Sequence, residues 1–459
     1  MDLTMYRQAW NDLPYDDSFF EMMSVWKDIY SGSPPWKVVK RAGLQRGRSR
    51  NMSLMNTAKL LCDEFSHKIF AEQVEITTGN DLYDEWLKDF LDREGFWKNI
   101  PQFLSKAFAV GGGCIKEYIG EGRVKLNYIN GDLFYPAQWD NRHITGGVFG
   151  TVTVRNKKYY TYLERHSFTD GTVTTERKLY RSDVEGSLGT EVSVAELYEL
   201  DEAPVTDFPC FQYYKPDISN NLSDLPLGIS CFANCTDTLR ALDVAFDSFG
   251  REFILGRKRI IVPSSCIRTV VNPDTGAVEK YFDTDDEVYQ AMQCDEDKDL
   301  HIQDNTVVLR VEEHVRAINT LLDILCMQTG LSAGTFSFDM RQGMKTATEV
   351  ISQESKTAMT VKCHKNLLVE TIEGMCRAAF ALAQVTGELP VQDHDLAVGF
   401  KDSIIIDDDQ MIKNNIDLVN AGLKSKVTAI MEIMRCDEET AQAELERVSG
   451  ESVAPMPEI

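Results

Sequence analysis

The sequence predicts an α+β fold in which helices and strands occupy separate stretches of the chain. Three observations carry that prediction. Apolar residues recur at spacings of three and four up to about residue 110, and again from residue 234 onward. Between residues 111 and 214 short alternating segments rich in Val, Ile, Thr and Tyr are punctuated by Gly, Asn and Asp. Two long helical patterns then bracket a compact insert that reads as short strands. With 459 residues, 43% of them hydrophobic, the chain can bury more than one core.

The elements follow in order. Phe19 to Tyr30 has helical apolar spacing and stops at Gly32-Ser33-Pro34-Pro35. A basic run follows, Lys37, Lys40, Arg41, Arg46, Arg48 and Arg50, read as a solvated segment or a subunit contact rather than a nucleic-acid patch. Leu54 to Phe70 places Leu54, Ala58, Leu61, Phe65 and Ile69 on one helical face, and further helices cover Asp81–Asp92 and Trp97–Ala109. Gly111-Gly112-Gly113 breaks the chain before strands Cys114–Ile119, Val124–Ile129, Gly147–Val154, Tyr159–His166 and Val173–Tyr180. Asn234 to Leu255 is a helix about 33 Å long. Leu239, Leu242, Phe246, Phe249 and Phe253 form its apolar stripe, with Arg240, Asp243, Asp247 and Arg251 opposite.

The insert opens on a basic strand, Arg257 to Pro263. It carries a turn at Asn272-Pro273-Asp274-Thr275-Gly276, and a strand from Thr306 to Val311 closes it. A helix then runs from Glu312 to Thr329. Gly330 to Lys345 is a flexible mixed stretch, and Thr346-Ala-Thr-Glu349 fits a capping box that opens a helix reaching Thr386, with Gly374 as a kink. A strand at Leu396–Phe400, an acidic run at Asp407–Asp409 and helices to Val448 complete the chain.

Lys+Arg is 48 and Asp+Glu is 72, a formal net charge of −24. So acidic a chain cannot hold nucleic acid or an anionic membrane through bulk charge, because that binding comes from Lys and Arg displacing counterions. The 11 cysteines are scattered without a Cys-x-x-Cys pair, which suits free thiols in a reducing cytoplasm. No apolar run reaches the roughly 18 residues that span a bilayer, and the N-terminus lacks a signal-peptide pattern, so a soluble intracellular chain is expected.

Catalytic patterns fail one by one. There is no Gly-Lys-Ser/Thr phosphate loop and no His-Glu-x-x-His. Asp295-Glu296-Asp297-Lys298-Asp299 alternates like a calcium loop, yet Leu300 stands where Gly is required and Thr306 where Glu is required. Asp407 to Asp409 suits a helix N-terminus. Cys363 and His364 are adjacent on a helix and point about 100° apart, poor geometry for shared ligation. No cofactor, metal or catalytic residue is expected.

From Ile229 onward the sequence resembles the portal proteins of tailed bacteriophages, in particular those of siphophages and prophages of Gram-positive hosts. The resemblance is carried by Gly228-Ile-Ser-Cys-Phe-Ala-Asn234, Ala241 to Phe249, Arg251-Glu-Phe253, Gly256 to Pro263, Gly330 to Phe338, Lys345 to Ser352 and Gly422 to Met431, in that order. It covers roughly half the chain, and Ser33-Pro34-Pro35-Trp36 before the basic run is compatible with it.

What the resemblance implies is a ring, usually a dodecamer of about twelve subunits closed head to tail, at one capsid vertex of the virion. Double-stranded DNA passes through it during packaging and ejection. Residues 1–233 would be the wing, with 234–256 and 312–330 the two stem helices. Residues 257–311 would be the clip and 331–346 the tunnel loop. Residues 347–400 would be the long wing helix and wing strand, and 401–459 a short crown. Stem residues would include Arg240, Asp243, Asp247 and Arg251. Clip residues facing the terminase large subunit or the head-completion and tail-connector proteins would include Arg268, Asn272, Asp274 and Lys280. The tunnel loop would offer Arg341 and Lys345 as cations and Phe336, Phe338 and Met340 as bulk, subunit packing being the equal alternative for the two Phe.

Major capsid and scaffolding proteins are further implied partners, with assembly in the host cytoplasm and no membrane. A ring of about twelve would carry a charge of about −288, suited to letting DNA slide rather than to gripping it. Other readings are a different phage head component, such as an adaptor, or a metal-dependent hydrolase built on the acidic clusters.

Overall fold

The structure, a computed structural model, describes residues 3–13, 16–40, 49–71, 74–141, 143–198, 204–256, 308–338, 347–400, 408–434 and 438–451, with four short strands between 260 and 304. Helix α1 (Leu3–Ala9) leads into α2 (Asp17–Tyr30), where the Asp16 carboxylate caps the Phe19 N–H. The apolar face of α2, Phe19, Phe20, Met23, Trp26 and Ile29, is buried as its spacing requires. The basic run begins and ends in an antiparallel hairpin, β1 (Val38–Lys40) with β2 (Ser49–Asn51); residues 41–48 lie outside the described residues.

Helix α3 starts at Thr57, three residues later than its apolar pattern suggests. Ser53 and Met55 donate their backbone N–H groups to Asp247 and Asp243, which holds this stretch out of the helix until Asn56 turns it with a left-handed φ of 54°. The helix ends at Phe70, and β3 (Val74–Thr77), α4 (Asp81–Arg93) and α5 (Phe96–Val110) follow.

Gly111 and Gly112 have positive φ values of 93° and 153°. A Cβ on Gly111 would lie 2.4 Å from the Gly228 carbonyl oxygen, so the glycines serve a close backbone crossing and not phosphate binding. The predicted strands all form, as β4 (Gly113–Gly120), β5 (Arg123–Asn130), β7 (His143–Arg155), β8 (Lys158–Thr169) and β9 (Thr172–Ser182). The intervening β6 (Phe134–Asp140) and the later β10 (Thr190–Val192) and β11 (Phe211–Tyr214) join them. One antiparallel sheet has the order β10-β9-β8-β7-β6 and the other β11-β4-β5.

Helix α6 (Thr236–Leu255) and helix α7 (Val311–Thr329) pack antiparallel. Thr238 near the start of α6 bonds Gln328 near the end of α7, while Glu252 near the end of α6 pairs with Arg310 just before α7. Their seam buries Leu239, Leu242, Ile318, Leu322 and Leu325. Within the insert, β12 (Ile260–Ile261) pairs with β15 (Gln303–Asp304), and β13 (Arg268–Val271) forms the expected hairpin with β14 (Val278–Tyr281). Gln303–Asp304 is therefore the strand that closes onto β12, while Thr306 and Val307 of the expected strand lie outside the described residues. Residues 308–310 are irregular and α7 already begins at Val311, because Arg310 turns the chain by clamping Glu252.

Helix α8 (Ala347–Thr386) has 40 residues, about 60 Å of rise. It runs unbroken through Gly374, where a Cβ would meet the Gln212 side chain at 2.4 Å. Glycine there makes room for the Gln212 side chain, and the helix is continuous through it. Thr346, the proposed cap, lies outside the described residues. The inner face of α8, including Leu368, Ile372, Met375, Ala379 and Phe380, is buried against α3, β4, β5 and β11. Strand β16 (Ala397–Phe400) pairs with β3, and α9 (Asp408–Asn420), α10 (Lys426–Met434) and α11 (Glu438–Glu451) form the C-terminal group.

Candidate functional site

The α6–α7 hairpin carries the chemistry that the sequence singled out. Asp243 and Asp247 stand one turn apart on α6, and both are buried, at 7% and 6% exposure. Asp243 accepts from the Trp36 indole N–H at 2.9 Å and from the Met55 N–H at 2.9 Å. Asp247 receives a bidentate pair from Arg50 at 2.8 and 2.7 Å and a third bond from the Ser53 N–H at 3.0 Å. The expected polar outer face of this helix is thus half occupied by Trp36, Arg50, Ser53 and Met55 of the same chain. Arg240 remains exposed and Arg251 half-buried.

The two carboxylates differ electrically. Burial without a cation raises Asp243, despite its two donors. The Arg50 guanidinium holds Asp247 below the usual carboxylate range. Arg50 is consequently tied to Asp247 of its own chain, with 27% of its side chain still exposed. Lys37 is likewise engaged, donating to the Gly32 carbonyl at 2.7 Å.

At the far end of the hairpin Arg310 grips Glu252 through two nitrogens, at 3.1 and 3.0 Å. Beside this clamp Phe253, Ile254, Leu255, Val308 and Leu309 are all exposed, an apolar collar where the insert begins. Arg268 and Lys280 lie on the β13–β14 hairpin, opposite Tyr281 and Thr269 respectively. Asn272 and Asp274 lie outside the described residues.

After α7 the chain folds back onto the hairpin. The Gly334 N–H donates to Asp323 at 3.0 Å, and the Phe338 N–H to the Asn319 side chain at 2.7 Å. The Phe338 ring meets Phe246 and Phe249 edge-on, with centroids 6.3 and 5.7 Å apart. Within one chain Phe336 and Phe338 are half-buried and pack against the core. The cause is the aromatic stripe of α6, which leaves Phe246 and Phe249 facing this stretch. Met340, Arg341 and Lys345 lie outside the described residues.

Among the described residues no group of three or more His, Cys, Asp or Glu is placed to hold a metal ion. The Asp295–Asp299 and Asp407 positions lie outside them. His364 is buried at 2% exposure between Phe65 and Phe108, and its Nδ1 accepts from the Asp217 N–H at 2.9 Å. Burial lowers its pKa to about 4 and keeps it neutral. Cys363 beside it is exposed, so the two diverge as helical geometry requires.

A polar node that sequence reading missed lies between the two sheets. Lys116 donates to Glu164 at 2.5 Å, His166 meets the same oxygen at 2.6 Å, and Tyr162 bonds the other oxygen at 2.5 Å. Burial alone would raise Glu164, but Lys116 and His166 outweigh it and hold the carboxylate well below its usual range. The available signal was Glu164 and His166 on one face of a strand, with the adjacent charges Lys116 and Glu117 in another. The node ties β4 to β8.

Among solved structures, a chain in the "Virion of native gene transfer agent (GTA) particle" is similar, with a TM-score of 0.44 and 9% identity over 82% of this chain and 88% of that one. No curated protein matches. The family model described as "Phage portal protein, SPP1 Gp6-like" matches residues 16–452, nearly the whole sequence. The match extends over the N-terminal half as well as over the ordered segments from Ile229 onward, and on that extent the chain belongs to the SPP1 Gp6-like family of phage portal proteins.

Proposed function

We propose that the chain closes into a homo-oligomeric ring at one vertex of a phage capsid and forms the channel through which double-stranded DNA is packaged and ejected. The observation that carries this reading is the family match over residues 16–452. The antiparallel α6–α7 hairpin with a small strand insert at one end is the mechanical unit such a channel needs. On this reading the hairpin is the stem, residues 257–311 are the clip, residues 331–346 are the tunnel loop and residues 401–459 are the crown. The clip offers the docking surface for the terminase large subunit during filling and for head-completion and tail-connector proteins afterwards. The outer parts meet capsid and scaffolding proteins. The protein performs no covalent chemistry; the ATPase belongs to the terminase.

The charge supports a sliding channel. A net −24 per chain repels phosphate, and the buried pairing of Arg50 with Asp247 removes one cation from contact with DNA. Deleting residues 337–342 tests the loop assignment. Rings should still assemble while DNA packaging or retention falls. Normal packaging would remove the loop from the mechanism.

A further inference from the structure

Among the described residues, two strand edges without a partner strand match one another. The first lies in a groove of about 440 Å³ between α8 and the start of β7, with β11 along its floor. Strand β11 is the outer strand of its sheet. The Glu117 N–H donates to the Cys210 carbonyl at 3.1 Å, which makes that pair a hydrogen-bonded one. Antiparallel ladders alternate, and Phe211 pairs with Lys116, so the backbone groups of Phe211 and Tyr213 point away from β4 and into the groove. Glu370, Glu373 and Arg377 of α8 line one wall; Arg377 pairs with Glu373 at 3.4 Å, which leaves the exposed Glu370 as the acid open to a partner.

The second edge is the outer half of β7. Residues His143 to Phe149 pair with β6, but Gly150 to Arg155 pair with β8 alone. The hairpin closes through Asn156 and Lys157, with φ of 53° and 60°, a two-residue turn whose flanking pair Arg155–Lys158 is hydrogen-bonded. By the same alternation Val152 and Val154 direct their backbone groups outward, and their side chains are 43% and 61% exposed. The hairpin tip is basic, with Arg155 and Lys157 both exposed.

We propose that the β7–β8 hairpin of a second copy of this chain adds its free edge to β11 in this groove, forming a continuous sheet across the subunit boundary. Phe211 is only 2% exposed and Tyr213 is half-buried, so the β11 edge opens mainly at Tyr213 and about two hydrogen bonds form there. The basic tip then faces Glu370. The two surfaces lie on different parts of one chain, so the contact is head to tail, the type that closes into a ring. The inference rests on the ring reading and names one of its contacts. It also explains why a long, exposed Thr-Val-Thr-Val edge is kept, since such an edge is otherwise an aggregation hazard.

The test uses the full chain with Cys266→Ser, Cys294→Ser, Cys363→Ser and Cys436→Ser. His143→Cys, on the groove wall, and Val154→Cys are combined and treated with a short bismaleimide. The two positions are eleven residues apart on one strand, about 36 Å, too far to link within one chain. The expected result is a ladder at multiples of 52.0 kDa with the double variant and none with either single one. In parallel, Arg155→Glu with Lys157→Glu should raise the concentration for half-assembly at least tenfold, and adding Glu370→Lys should restore assembly. A ring that forms without the ladder, with the thiol introduced at position 143 still open to maleimide, overturns this contact and leaves the groove to an extended segment of another protein. A wild-type chain that stays at 52.0 kDa overturns the ring reading and this contact with it.

Discussion

The clasp between residues 36–55 and α6 makes a quantitative prediction. Arg50→Ala removes both guanidinium bonds from Asp247, whose side chain is only 8% exposed. Asp247 keeps the Ser53 N–H and loses its paired cation. Breaking a fully buried pair strands a charge at about 3–5 kcal/mol, and an exposed pair contributes about 0–1. Arg50 is 27% exposed, so solvent screens part of the loss and an intermediate cost of about 1–3 kcal/mol is expected. At about 1.4 kcal/mol per tenfold, that accelerates local opening by about 5- to 150-fold. Native-state hydrogen exchange at Ser53 and Met55, whose N–H groups bond Asp247 and Asp243, reads this opening directly. Arg377→Ala, which breaks an exposed pair on α8, should leave these amides unchanged. Exchange within about threefold of wild type after Arg50→Ala would refute the claim that the ion pair locks this segment to α6.

Three further outcomes follow from other contacts. His364 has a pKa lowered from 6.5 to about 4, so the unfolded chain binds the extra proton between those values. Stability should be full above about pH 6.5 and fall by about 3 kcal/mol as pH drops toward 4, a slope that His364→Asn flattens in acid-unfolding measurements. Gly111→Ala meets both a φ of 93° and the Gly228 carbonyl at 2.4 Å, so it should destabilise by about 3 kcal/mol or more in denaturant titration. Gly122→Ala, with a φ of 72° in open space, should cost only about 1 kcal/mol. Phe338→Ala removes a half-buried ring from Phe246 and Phe249 and should cost about 1–3 kcal/mol, with faster exchange at the Phe338-proximal amides of α6.

How much could be read beforehand depends on the range of the signal. The faces of α2 and α6 and the hairpins β4–β5 and β7–β8–β9 were legible because period and turn chemistry are local. Strand β11 was not, because its four residues pair with β4 almost a hundred positions earlier. Strand β16 itself was legible as Leu396–Phe400, but its pairing with β3, more than three hundred positions earlier, was not. The helix pattern marked Asp243 and Asp247 as polar and placed them opposite the apolar stripe correctly. It could not reveal that Trp36 and Arg50 return to satisfy them, since periodicity identifies a face and not what covers it. Phe338 shows the same limit, as its partners lie on α6, some ninety residues away. The family resemblance was legible because ordered segments survive where no single motif decides. The assignment of residues to stem, clip and loop follows from that resemblance.

The most direct test of the central claim is the mass and shape of the purified full chain, by native mass spectrometry together with negative-stain imaging. The account predicts a closed ring with a central hole and a mass about twelve times 52.0 kDa, a neighbouring subunit number being equally consistent with ring closure. A particle that remains at 52.0 kDa across protein and salt concentrations, with no ring in the images, would contradict it.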